Sequence, residues 1–92
     1  MDYREEVLRN CPHFGTDPIE TKLSLAGLGV AGEAGEVADL IKKVLHHDAT
    51  MDRAKIIKEM GDVYWYLEYL GAALGVSTEE VLMANEIGRA HV

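Results

Sequence analysis

Cysteine, proline and positive charge are all scarce in this sequence. Cys11 is the only cysteine and there are two prolines. The sequence has 9 lysines and arginines but 16 aspartates and glutamates. The formal net charge is −7. A disulfide framework needs paired cysteines, and binding DNA or RNA needs a cationic surface. We therefore expect neither internal disulfides nor a nucleic-acid polymer as partner.

Long apolar runs are also missing. The sequence has no uninterrupted apolar stretch near 18 residues and no basic-then-apolar leader at its N-terminus. These absences predict a protein without a membrane partner, and the single cysteine suits the reducing cytoplasm. The 92 residues fit one domain, 1–92. A domain this small buries only roughly 60 to 65% of its unfolded surface, so we expect subunit association and a bound metal to add stability.

Helical periodicity and capping signals account for the whole chain. They predict helices from Asp2 to about Asn10, from Pro18 to about His46, from Thr50 or Asp52 to Gly75, and from Ser77 onward. Asp17 can cap the second helix, and Ser77 with Glu80 has capping-box spacing. The third helix carries a core-facing stripe of Ile56, Met60, Val63, Leu67, Leu70 and Leu74. The fold class is all-α, a hairpin-based bundle of about four helices per chain, completed by dimer or tetramer association.

Glycines are concentrated in the second helix, at positions 27, 29, 32 and 35. The first three match the pattern G-x-G-x-x-G, which in a dinucleotide-binding unit follows a strand and opens a helix. Neither condition holds here, because these glycines lie inside a helical pattern that began near Pro18. They are better explained by close approach of another backbone to this helix.

Four acids stand out by their spacing. Glu33 and Glu36 lie three apart on the second helix, and Glu59 and Asp62 lie three apart on the third, so each pair shares a helix face. A hairpin turn centred between His47 and Asp48 would bring position 33 opposite 62 and position 36 opposite 59. Such a cluster needs a compensating cation, and oxygen-only ligands select Mg²⁺, Mn²⁺ or Ca²⁺ over zinc, of which Mg²⁺ characteristically bridges carboxylates to substrate phosphates. Lys55 and Lys58 could neutralise the acids in part.

The same residues carry a resemblance to a known family. Gly32-Glu33-Ala-Gly-Glu36-Val-Ala-Asp-Leu, followed after 22 intervening residues by Glu59-Met-Gly-Asp62-Val, resembles the E-x-x-E … E-x-x-D signature of MazG-like all-α nucleoside triphosphate pyrophosphohydrolases. The resemblance implies a Mg²⁺-dependent enzyme that hydrolyses a (d)NTP to (d)NMP and pyrophosphate in nucleotide-pool house-cleaning. It also implies that the four acids are the catalytic metal ligands, and that the enzyme is a homodimer or homotetramer.

The resemblance further implies substrate contacts. Tyr66 and Asn85 match positions that contact phosphate, sugar or base in relatives. A lysine is expected shortly after the asparagine, but Gly88 stands there, and this departure leads us to expect an atypical or vector-derived tail at residues 88–92. Lysines of the second and third helices, Lys55 among them, could replace it, although lysines on helix faces are usually only solvated.

Several residues have simpler explanations than a site. His46 and His47 more often cap the negative end of a helix than bind metal, since neither follows a glutamate by three residues. Tyr64, Trp65 and Tyr69 could stack on a base, but aromatics at this spacing more often belong to a core or interface. The rival function is a non-catalytic helical module for oligomerisation or protein interaction, and a second rival is a phosphatase that releases orthophosphate.

Overall fold

The computed structural model describes residues 2–46 and 50–90, and this part of the chain is built from four helices without a strand. They are α1 (Tyr3–Arg9), α2 (Ile19–His46), α3 (Arg53–Leu74) and α4 (Thr78–Ala90). The all-α class and the four-helix organisation are confirmed. The turn centre expected between His47 and Asp48 lies outside the described residues.

Local capping chemistry sets the ends of α3 and α4 as expected. The Asp52 carboxylate accepts the Lys55 backbone N–H at 3.0 Å, which caps α3, and Gly75 ends this helix in the left-handed conformation with φ of 71°. Ser77 Oγ accepts the Glu80 N–H at 3.1 Å, and Glu80 Oε1 accepts the Ser77 N–H at 3.3 Å. The capping box before α4 is therefore formed.

The start of α2 differs by one residue from the expected position. Pro18 was predicted to be the first helical residue, but the helix begins at Ile19. The Pro18 carbonyl accepts the Lys22 N–H at 3.2 Å. Proline therefore contributes its carbonyl to the first helical hydrogen bond from the boundary position, where its missing N–H has no cost.

Helices α2 and α3 pack along one another as an antiparallel hairpin, with α1 against α3 and α4 meeting α3 only near their junction. The buried core is small and takes one side chain from each of the first three helices: Val7, Ala26 and Tyr69. Phe14 and Trp65 pack against it, and both rings contact the Tyr69 ring. The thin core expected from chain length is observed.

The apolar stripe of α3 is only partly covered within the chain, so the expectation that it faces a core holds for part of its residues. Leu67 is 46% exposed and Leu74 is 59% exposed. Part of the stripe joins α2 to form an open apolar groove of about 370 Å³. The residues lining the apolar groove are Ala34, Val37, Met60, Val63, Tyr64 and Leu67. A hairpin with two further helices has too few elements to cover every apolar face.

A polar network fixes the junction of α1, α3 and α4. Arg4 Nη2 donates to the Val76 carbonyl at 2.8 Å, and Arg4 Nε lies 3.5 Å from a Glu68 carboxylate oxygen. The Thr78 hydroxyl donates to the same carboxylate. A Cβ at Gly71 would lie 2.7 Å from Arg4 Nη2, so a larger residue there would require the Arg4 side chain to shift. Over the described residues, no helix is long and apolar enough to cross a membrane.

Candidate metal and nucleotide site

Three of the four predicted acids come together between α2 and α3. One carboxylate oxygen each from Glu33, Glu59 and Asp62 lies within 4.8 Å of the others. All three side chains are partly buried. The hairpin register therefore brings Glu33 opposite Asp62, as expected, and also next to Glu59. We call these three residues the acid trio.

Glu36 lies outside the acid trio. It is exposed on α2, one helical turn beyond Glu33. Its expected partner, Glu59, lies beside Glu33 and Asp62 instead. The negative charge of Glu36 still reaches the trio, because it is one of the charges that raise the Glu33 pKa.

The pKa of Glu33 reflects the concentration of negative charge in the acid trio. Its pKa is raised above the ordinary value of 4.5, first by partial burial, then by the hydrogen bond with Glu59 and by the negative charges of Asp62, Glu59 and Glu36. Each cause disfavours the ionised carboxylate. A cation among these oxygens would act in the opposite direction, because it favours the ionised form.

The donor set fits a hard divalent cation. Carboxylate oxygens are the ligands that Mg²⁺ and Mn²⁺ accept in proteins, and an all-oxygen set does not favour zinc. Lys58 offsets some of the negative charge, since its Nζ lies 3.6 Å from an Asp62 carboxylate oxygen. Both side chains are substantially exposed, so this ion pair is weak and a cation could displace it.

An open cavity of about 290 Å³ adjoins the acid trio. We call it the acidic cavity, and its lining residues are Glu33, Asp62, Trp65 and Tyr66. Tyr66 was expected at a substrate site, and its ring lies against the backbone of α2 at Gly29. A Cβ at Gly29 would overlap the Tyr66 ring carbons, whereas Gly27, Gly32 and Gly35 have no such neighbour within 4 Å. Among the described residues, Gly29 therefore accommodates a side chain, and none of the four glycines meets the close backbone that was expected.

The remaining expected substrate residues lie elsewhere. Lys55 borders a separate cleft near the end of the hairpin, together with Lys43 and Asp52. Asn85 is exposed on α4, where every described side chain from Thr78 to Ala90 is exposed. Neither residue lines the acidic cavity. His46 occupies the last turn of α2, as expected for a residue near the negative end of the helix, and His47 lies outside the described residues.

The sequence did not predict that two aromatic residues lie near the acids. Trp65 was assigned to a core or interface, yet it packs against Tyr69 and also lines the acidic cavity. No role near the acids was predicted for Tyr3 of α1, and its pKa is raised by burial and then by the negative charges of Glu68 and Asp62. The three-residue offset from Asp62 to Trp65 was the signal available for Trp65. No sequence pattern linked Tyr3 to Asp62.

Comparison with known proteins identifies a family. The family profile of the MazG nucleotide pyrophosphohydrolase domain matches residues 21–88, which include most of α2, all of α3 and most of α4. The Gene 37 protein of Mycobacterium phage L5 is 37% identical over 67 residues, which cover 68% of this chain and 59% of the phage protein. No solved structure gives a significant match. The glycines of the G-x-G-x-x-G match lie inside α2, which removes the dinucleotide-binding interpretation. The chain belongs to the MazG nucleotide pyrophosphohydrolase domain family.

Proposed function

We propose that the protein is a Mg²⁺-dependent pyrophosphohydrolase of nucleoside triphosphates that works in nucleotide-pool house-cleaning in the cytoplasm. The observation that carries the proposal is the acid trio beside an open cavity with aromatic walls. A water oxygen attacks the α-phosphorus, the bond from this phosphorus to the bridging oxygen breaks, and the products are a nucleoside monophosphate and pyrophosphate. Family membership supports this reaction class.

Glu33, Glu59 and Asp62 would hold Mg²⁺, with Mn²⁺ as a substitute. When bound, the ion supplies neutralisation of phosphate charge and a lowered pKa for the attacking water. The chain supplies the geometry, because the three carboxylates project from two long helices packed along one another. Rigid helices keep the ligand positions fixed during the reaction.

Glu36 completes the site in this proposal as the fourth acid. It stands one turn from Glu33 and is exposed, so its carboxylate is free to turn toward a bound substrate and orient or deprotonate water. Tyr66 contacts the substrate from the cavity wall. Asn85 and Lys55 do not line this cavity. Asn85 contacts the phosphates only if α4 closes over the cavity, and Lys55 only if the hairpin end does so. Either element could belong to the same subunit or to another.

We further propose that a second copy covers the apolar groove, giving a homodimer or a homotetramer. The groove is lined by aliphatic and aromatic side chains from both hairpin helices, and Tyr64 and Leu67 are 63% and 46% exposed. A chain with such a small buried core needs further apolar burial for stability. Symmetric pairing of two hairpins would bury the same groove on each copy.

A product assay tests the reaction. The protein is incubated with canonical and modified (d)NTPs and Mg²⁺, and pyrophosphate and orthophosphate are measured separately. We expect pyrophosphate and nucleoside monophosphate in equal amounts, and no turnover in chelator. Orthophosphate as the first product would replace this proposal with a phosphatase.

The alternative function is a non-catalytic helical module for oligomerisation or protein interaction, and the apolar groove favours it. This alternative assigns no task to the acid trio, in which partial burial and then the neighbouring acids raise the Glu33 pKa. Calorimetry with Mg²⁺ and pyrophosphate separates the two. A module that only assembles would bind neither and would hydrolyse no nucleotide in the assay panel.

A further inference from the structure

Trp65 occupies an unusual position between the core and the acidic cavity. Its ring stacks on the Tyr69 ring, with centroids 5.9 Å apart and planes 12° apart. Tyr66 meets it edge-on, with centroids 5.1 Å apart. Tyr69 is itself buried and also contacts Phe14 edge-on. Trp65 is therefore held by two neighbouring rings while part of its surface lines the acidic cavity.

The composition of the cavity wall separates into two halves. Glu33 and Asp62 offer carboxylates, and Trp65 and Tyr66 offer aromatic surface. Carboxylates hold the phosphate end of a nucleotide only through a metal ion. Aromatic rings stack on bases, which present an extended π-face. The two halves thus match the two ends of a nucleotide.

Resting on the proposed function, we propose that Trp65 is the base-stacking platform of the site and that it selects substrates by stacking area. Among the described residues, those that line the acidic cavity include no amide side chain to read the hydrogen-bonding edge of a base. Stacking tolerates every base but strengthens with the overlapping ring area. The substrate class is therefore purine and pyrimidine nucleotides alike, with purines bound more tightly. A ring fixed by Tyr69 and Tyr66 loses little freedom on binding.

The chain offers a direct readout, because Trp65 is the only tryptophan. Its emission is recorded in the wild-type protein with Mg²⁺ while AMP, CMP, ribose 5-phosphate or pyrophosphate is added, with excitation at the long-wavelength edge of the indole band. We expect saturable quenching by AMP, weaker quenching by CMP, and little change with ribose 5-phosphate or pyrophosphate. Equal responses to AMP and ribose 5-phosphate would overturn the proposal.

Calorimetry on the same samples keeps this proposal distinct from the proposed function. If pyrophosphate binds with Mg²⁺ while AMP leaves the emission unchanged, Trp65 does not contact the base, although the phosphate and metal site stands. If neither pyrophosphate nor AMP binds, the proposed function and the stacking platform are both wrong. Saturable quenching with matching calorimetric affinity supports both.

Two variants extend the test to turnover. Trp65→Leu keeps an apolar side chain but removes the ring, and Trp65→Phe keeps a smaller ring as the matched control. We expect the KM of a purine nucleotide to rise about tenfold in Trp65→Leu and less in Trp65→Phe, with smaller changes in kcat. The ratio between pyrimidine and purine KM values should fall toward one in Trp65→Leu. A purely structural role would lower kcat for all substrates and leave this ratio unchanged, which would refute base stacking.

Discussion

The α2–α3 hairpin has two faces of opposite chemistry, built from neighbouring residues. Glu33 and Asp62 line the acidic cavity, whereas the next residue after each, Ala34 and Val63, lines the apolar groove. Consecutive residues on a helix point about 100° apart, so one pair of helices can present both surfaces. One face needs a cation to offset its charge, and the other needs apolar contact to exclude water.

Substitutions on the two faces should therefore affect different properties of the protein. A change to the acidic cavity should remove activity and leave assembly intact. A change to the apolar groove should disturb assembly first, and activity only as a consequence. Substitutions on each face, with controls outside both, test whether this division is real.

The largest effect is expected from Asp62→Asn. The amide cannot supply the negative charge of a metal ligand, and loss of such electrostatic stabilisation costs several kcal/mol. We expect turnover to fall at least about a hundredfold while light scattering shows an unchanged oligomer. Asp39→Asn is the matched control, since Asp39 lies on α2 and forms an ion pair with Lys43 at 2.9 Å outside the acid trio. Similar losses in both variants would remove Asp62 from the site.

On the opposite face, Leu67→Glu should separate the subunits. A charge placed in a covered groove has no partner there, and uncompensated burial costs about 3–5 kcal/mol. We expect the subunit dissociation constant to rise at least about a hundredfold in light scattering or sedimentation. Leu28→Glu serves as control, because Leu28 is 74% exposed and does not line the groove. A Leu67→Glu protein that assembles like the parent would show that another surface mediates association.

The sequence predicted the helices well because their ends depend on local chemistry. The Ser77–Glu80 capping box and the left-handed Gly75 are each recognisable within a few residues. The acid cluster was predicted in part, since equal spacing on two helices fixes which positions face each other. Exclusion of Glu36 from the acid trio depends on how the helices cross and how far side chains reach, and residue spacing does not encode either.

Burial was predicted less well for the same reason. Helical periodicity showed that Leu67 lies on an apolar stripe, but it cannot distinguish a face covered within the chain from an open groove. The position of Trp65 likewise depends on how far α2 stands from α3, which is set by contacts such as Tyr66 on Gly29. Tertiary distances of this kind arise from packing between segments remote in sequence.

Gly29→Ala should damage the acidic cavity without removing a charge. The new methyl group would overlap the Tyr66 ring carbons, so the ring must move, and Trp65 packs edge-on against this ring. Overpacking of this kind costs about 1–3 kcal/mol of stability. We expect a lower melting temperature and a higher KM.

Gly32→Ala is the control. A Cβ at Gly32 would have nothing within 4 Å, so this variant should instead gain up to about 1 kcal/mol of helix stability. Equal behaviour of the two variants would contradict the close approach at Gly29.

The smallest expected effect concerns the stability of the metal-free protein. The Glu33 pKa is raised in the folded state from its ordinary value of 4.5, so folded protein holds this proton more tightly than unfolded protein. The contribution of Glu33 to the free energy of unfolding therefore falls as pH rises from about 4.5 through the raised pKa. In chelator, Glu33→Gln should lose this decline and melt at or above the parent temperature at pH 7.

Mg²⁺ should reverse that order, which makes the comparison decisive. The ion stabilises the folded parent by binding to it, and Glu33→Gln lacks one ligand, so the increment in melting temperature should shrink in the variant. Glu36→Gln is the control, because it removes the same charge one turn away, outside the acid trio, and should alter the pH dependence less. The measurement is thermal unfolding of all three proteins across pH 4.5 to 8, with chelator and with Mg²⁺. Glu33 would be a structural hydrogen-bonding residue if Glu33→Gln melts at a lower temperature than the parent in chelator and its melting temperature rises as much with Mg²⁺. A metal ligand that is repelled by its neighbours would give the opposite result in both conditions.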